Sequence, residues 1–172
     1  AHTQILFFVD HLGFSMSQGE FHDYEGGFVF DRTRPQESSV NVVIKAGSID
    51  MDHEKWNTHM GSSDFFNVEY YPDISFKSTS IKVTGDDTAK IMGDLTMLGK
   101  TLPVTLDTTF NRSAKHPFSG EYVAGFSATT TLDRTKWGMD YGAPQIGKEV
   151  NIRFEVEGIR TESSHEQERT AN

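Results

Sequence analysis

One period governs most of this chain: apolar side chains recur at every second position, in run after run. Val40, Val42, Ile44 and Ala46 alternate with Asn41, Val43 and Lys45. Leu102, Val104, Leu106 and Phe110 alternate with Pro103, Thr105, Asp107 and Thr109. Ala124, Phe126, Ala128 and Leu132 keep the same beat, as do Val150, Ile152, Phe154 and Val156. More ragged runs hold Ile5, Phe7 and Val9, then Phe28 and Phe30, Ile74 and Phe76, and finally Ile91, Leu95 and Met97. A period of two means a strand with one apolar and one wet face, and about eight such strands are expected. Thr84-Gly85-Asp86-Asp87 and Leu98-Gly99-Lys100 supply hairpin turns between them. Short connections imply antiparallel pairing, and so many strands lose their edges best by closing. The expected fold is all-β: an antiparallel eight-stranded barrel, with a two-sheet sandwich as the alternative.

Composition agrees. Thirteen phenylalanines stand against seven leucines, and aromatic and β-branched side chains suit the pleat better than a packed helix. The length of 172 residues fits one domain with a sizeable interior. The formal charge is −9, which argues against nucleic acid and anionic membrane surfaces as partners, since both attract basic patches. With no cysteine, disulfides, thiolate nucleophiles and Cys-bound metals are excluded. No apolar run approaches the roughly 20 residues that span a bilayer, so stable membrane insertion is not expected. The chain opens almost inside a strand at Ala1-His2-Thr3-Gln4-Ile5, which suggests a processed start.

One segment leaves the pattern. From Asp50 to Asn67 the period is not two, and Asp52 is placed to cap a short helix over His53 to Met60. The stretch HEKWNTH within it begins like a zinc-protease signature. That signature needs histidines four apart on one helical face, whereas His53 and His59 are six apart and point to different sides. The segment reads instead as a lid helix. Trp56 and Met60 share one of its faces, and either pack on a barrel rim or line a ligand. Other chemistry fails similarly. Gly125-Phe126-Ser127-Ala128-Thr129 lacks the second glycine of a nucleophile elbow. Asp50, Asp52 and Glu54 lack the glycine and distal glutamate of a calcium loop. The chain does not read as an enzyme, and no catalytic cofactor is expected.

The ordered motifs resemble a known family. Asp10-His11-Leu12-Gly13-Phe14, Gly19-Glu20-Phe21, Gly27-Phe28-Val29-Phe30-Asp31 and Ser63-Asp64-Phe65-Phe66 come first. Tyr71-Pro72, Phe76-Lys77-Ser78-Thr79-Ser80, Gly93-Asp94-Leu95-Thr96, Pro103-Val104-Thr105-Leu106 and Asp133-Arg134 follow. Together they look like the YceI-like family of bacterial polyisoprenoid-binding proteins, over nearly the whole chain. The resemblance implies an extended lipocalin-like barrel holding a long isoprenoid chain in its lumen, in the periplasm or outside the cell, after removal of a signal peptide. Residues 1–160 would form that barrel. The polar, aperiodic residues 161–172 would form a tail or a linker to a neighbouring module.

In two places the chain departs from the family pattern. His59-Met60-Gly61 stands where many members have His-Leu-Arg, and Leu98-Gly99 where many have His-Gly. Each change removes a group able to meet a phosphate, which favours a polyprenyl quinone of the ubiquinone kind over a polyprenyl diphosphate. The expected lining is Phe28, Phe30, Val42, Ile44, Phe76, Leu95, Met97, Leu106, Phe126 and Ile152. Trp56, Met60, Phe65, Phe66 and Trp137 are expected to contact the ligand as well, with Trp56, His59, Asp64 and Trp137 toward the head group. Small residues in the inward registers (Ala46, Ser78, Gly93, Thr108, Ala124, Ala128 and Thr130) are expected to leave room for the chain. Three other readings stay open at this point: ordinary core at these positions, a fatty-acid-type amphiphile as ligand, and a surface-binding β module. A homodimer is also compatible with the sequence.

Overall fold

A computed structural model describes residues 2–161; the expected tail at 161–172 lies outside them apart from Thr161. The strands are β1 (Gln4–His11), β2 (Ser15–Phe21), β3 (Tyr24–Val29), β4 (Ser39–Lys45) and β5 (Ile49–Asp50). A helix, α1 (Glu54–Gly61), then precedes β6 (Asp73–Val83), β7 (Thr88–Met97), β8 (Lys100–Lys115), β9 (Tyr122–Asp133) and β10 (Ile146–Ile159). All pair antiparallel in one curled sheet of order β3-β4-β6-β7-β8-β9-β10-β1-β2-β5.

Ten strands replace the expected eight, for a simple reason. β2 reaches β3 across only His22 and Asp23, and β4 reaches β5 through a 3-10 turn at Ala46–Ser48. His22 N donates to Ser48 O at 3.2 Å and Lys45 N to Asp23 O at 2.8 Å, which carries the ladder across both bends. β2/β3 and β4/β5 therefore act as two bent strands, and the sheet curls round to meet itself. The alternation hid β2 because SMSQGEF has Ser15, Ser17 and Gly19 at alternate positions where other strands carry apolar groups. Gly19 is required there: a Cβ on it would strike the ring of Phe7 on β1.

Two bulges complete the curl. Ser78 and Ser80 pair with the adjacent Gly93 and Met92, so Thr79 is extra. Phe110 and Arg112 pair with Phe126 and Gly125, so Asn111 is extra. A bulge shifts the register by one and increases local twist. That is why Ile81 and Val83 join Ile74 and Phe76 on the inner face, although simple parity would turn them out. The outer wall is wet, with Lys90–Asp107 at 2.6 Å, Lys45–Asp73 at 2.8 Å and Thr131 Oγ1 donating to Asn151 at 2.8 Å.

The helix forms close to where it is expected, but Asp52 does not cap it. His53 occupies the N-cap without a side-chain bond, and Asp52 takes a left-handed φ of 56°. Asp50 does the anchoring. Its Oδ1 accepts from Asp52 N at 2.8 Å and from Asn57 Nδ2 at 3.0 Å, while Asn57 Oδ1 accepts from Met51 N at 2.6 Å. These bonds, led by the one from Asn57, hold the Asp50 carboxyl below its ordinary pKa. Near α1, Ala46, Ile49, Phe65, Phe66, Trp137 and Met139 are all buried.

Candidate functional site

The inner faces of the strands and α1 enclose a cavity of about 1580 Å³. Drug-sized ligands occupy pockets of roughly 300–1,000 Å³, so this one exceeds what such a ligand needs. At about 30 Å³ per water-sized group, it has room for roughly fifty non-hydrogen atoms. Its wall is made by the inward registers that the alternation picked out. Val42 and Ile44 from β4, Phe76 from β6, Leu95 and Met97 from β7, and Leu106 from β8 all border it. So do Phe126 from β9, Ile152 from β10, Phe28 and Phe30 near the end of β3, and Trp56, Met60, Phe65 and Phe66 at the lid.

Trp137 does not border the cavity. It lies in a 3-10 turn at Arg134–Trp137, is 5% exposed, and donates its indole N–H to Leu95 O at 3.3 Å; it is wall packing. Asp64 also stands outside the lining, its Oδ2 2.8 Å from His59 Nε2. His59 does border the cavity, with its ring edge-on to Phe65 and Tyr141 at 5.1 Å. The small residues divide. Thr108, Ala124, Ala128 and Thr130 line the lumen, and the first and third of these are direct cross-strand partners. Gly93 instead makes room for the Phe76 ring, and Ser78 accepts Val40 N at 2.9 Å. Ala46 is fully buried and does not border the cavity.

At the end away from α1, four rings meet. Phe28, Phe30, Phe110 and Phe126 stand 5.0–5.5 Å apart in edge-on and stacked contacts, which aromatic quadrupoles favour. The Phe28 ring lies over Gly158. Arg32 covers Phe110 at 5.3 Å and Arg160 covers Tyr122 at 5.9 Å.

Charge in the lining is sparse and slightly acidic. Glu25, Asp86, Asp87 and Glu157 stand against Arg32, Arg134 and Arg160. Arg134, 4% exposed, was not among the expected lining, and its guanidinium is already engaged. It donates to Gly147 O at 2.8 Å, Met139 O at 2.7 Å, Tyr141 O at 3.0 Å and Ile146 O at 2.9 Å. Burial lowers its pKa, with Asp140 and Asp133 pulling the other way. Asp133 caps the turn, accepting from Thr135 N at 3.0 Å. The Asp133-Arg134 motif thus ties the loop between β9 and β10 together. Gly61 and Leu98, the two departures from the family pattern, do not border the cavity. Among the described residues no cluster of His, Asp or Glu could hold a metal, and no helix is long and apolar enough to cross a membrane.

Comparison with known proteins matches the architecture. The YceI-like domain matches residues 1–158. A UPF0312 protein of Pseudomonas putida strain F1 is 41% identical over 159 residues, covering 92% of this chain and 82% of the relative. Among solved structures, the Campylobacter jejuni YCEI protein superposes with a TM-score of 0.80 at 26% identity, covering 89% of this chain and 90% of that one. A polyisoprenoid binding domain from Saccharophagus degradans, implicated in plant cell wall breakdown, gives 0.69 at 12% identity, covering 90% and 92%; this likeness is one of fold. By sequence and by fold, the chain belongs to the YceI-like domain family.

Proposed function

We propose that this protein binds a long polyisoprenoid lipid inside its barrel, a polyprenyl quinone first among them, and carries or stores it in the periplasm or outside the cell. The observation that carries the reading is the cavity itself: about 1580 Å³, walled mainly by Val, Ile, Leu, Met and Phe side chains. The Saccharophagus domain, a protein of the same fold, is itself described as polyisoprenoid-binding. Burial of about forty isoprenoid carbons at roughly 0.8 kcal/mol each gives on the order of 30 kcal/mol gross. Ordering the chain removes much of that, and the remainder still suits retention through purification. A neutral head group is favoured by the lining's four carboxylates against three guanidiniums, one of which, Arg134, is spent on backbone carbonyls.

The test is organic extraction of the protein purified from a quinone-producing bacterium, with the extract identified by mass and ultraviolet spectrum. A polyprenyl quinone is the expected product. A polyprenyl phosphate would keep the lumen and overturn the head group, with Arg32 and Arg160 the cations for it to meet. A fatty acid or its amide would overturn the isoprenoid.

A further inference from the structure

Among the described residues, twelve large apolar side chains are substantially exposed, and all of them sit at the ends of the barrel rather than on its wall. The two ends differ. Away from α1, Val29, Val83, Tyr122 and Ile159 border the cavity and are also 42–66% exposed, so the apolar lining continues out onto the rim. Just beyond them Phe118, 93% exposed, tips the β8–β9 hairpin. That hairpin is ordered: His116 N donates to Glu121 O at 2.7 Å, Gly120 N to His116 O at 2.9 Å, and Ser119 N to His116 Nδ1 at 3.2 Å. Phe118 is therefore held outward by the turn. At the α1 end Trp56 and Tyr141 are exposed and also border the cavity, but Leu12, Phe14, Met16, Tyr70 and Tyr71 are exposed without bordering it.

Charge separates the ends as well. The rim segments 29–38, 82–88, 112–122 and 158–161 carry Arg32, Arg34, Lys82, Arg112, Lys115 and Arg160. Against these six stand five acids, Asp31, Glu37, Asp86, Asp87 and Glu121, for a net +1 on a chain of −9. Segments 10–16, 52–73, 98–101 and 133–149 at the α1 end hold five basic residues against nine acidic, a net −4. The rim away from α1 is thus the end that lipid phosphates repel least. Arginines laid over aromatic rings there match the amphipathic side chains that settle at a membrane–water interface.

We infer that this end of the barrel docks transiently on a zwitterionic bilayer surface, with Phe118 entering the headgroup layer and the apolar rim meeting the membrane. The inference rests on the lumen reading: a polyisoprenoid resides in membranes, and a rim continuous with the lumen lets it pass without crossing water. It commits to a bilayer rather than to an acceptor protein or a second copy of the chain.

The absence of cysteine allows a clean test. Ser119→Cys, beside Phe118, and Ser63→Cys, past the end of α1, each take one environment-sensitive dye; both sites are exposed. With vesicles of phosphatidylcholine and phosphatidylethanolamine, the dye at 119 should brighten and shift to the blue, and the dye at 63 should not change. Phe118→Ser should lower vesicle binding about tenfold while leaving isoprenoid loading from detergent micelles intact, because Phe118 does not border the cavity. A response at 63 in place of 119 would overturn the proposal. So would loading from micelles with no response to vesicles at either site, which leaves the rim to a protein acceptor. A dye at 119 already shifted in a dimer without vesicles would give the rim to a second copy. Docking with the expected polarity by a protein that loads nothing from micelles would support the docking face and overturn the lumen reading.

Discussion

Close approach decides several single positions. Gly93 and Gly158 have no room for a methyl group, because the rings of Phe76 and Phe28 occupy it. Gly93→Ala must push the Phe76 ring or open the β6–β7 ladder, and should cost about 1–3 kcal/mol in chemical denaturation. Arg134→Met should cost at least about 3 kcal/mol, since it strands backbone carbonyls that the guanidinium now satisfies. Thermal or urea unfolding measures both. Individual lining residues were largely legible in the sequence, because inward position on a strand follows from parity alone: Val42, Ile44, Leu106, Phe126 and Ile152 all border the cavity. Trp137 was not legible. Its turn hangs on the carbonyl bonds of Arg134 and on the Leu95 carbonyl, and contacts between distant segments leave no periodic trace. The glycines were misleading in the same way: a small residue in an inward register can hold a neighbour's ring as readily as it leaves a space.

Among the elements, the strands with unbroken alternation declared themselves, and those interrupted by a bulge or by polar inner positions did not. Thr79 and Asn111 shift the inner register of β6 and β8, and β2 has almost no apolar inner face to display. The lid helix declared itself by breaking the period, but its anchor is Asp50 rather than Asp52, two positions upstream and in β5. That anchor gives a pH dependence. The Asp50 carboxyl sits below its ordinary pKa, chiefly through the bond from Asn57, so its contribution is complete above the unfolded value of about 3.9. It is lost as the pH falls through the depressed native value. Acidification through that range should loosen α1 and change the fluorescence of Trp56, which lies on it. Asp50→Asn should remove that acid-dependent change; if the change survives, another carboxylate controls the lid.

At the scale of the whole molecule, the sheet curls round a lumen that reaches α1, and many of its inner side chains are wall rather than core. Such a barrel puts its binding site where a smaller one would put its hydrophobic centre. The same inner positions then serve stability and ligand together. A charge placed mid-wall separates the two roles when the variant still folds, because an apolar ligand would have to desolvate it while the outer ladder stays in place. Ile44→Glu and Leu106→Glu, on β4 and β8, are expected to abolish lipid retention while circular dichroism still reports a β-sheet.

Native mass spectrometry of the wild type beside Leu106→Glu tests the central claim most directly. The lumen account predicts a wild-type protein carrying an added mass that fits a long isoprenoid, and a folded variant that flies bare. A folded Leu106→Glu that keeps the adduct, or a wild type that flies empty and takes up no added isoprenoid, would contradict it.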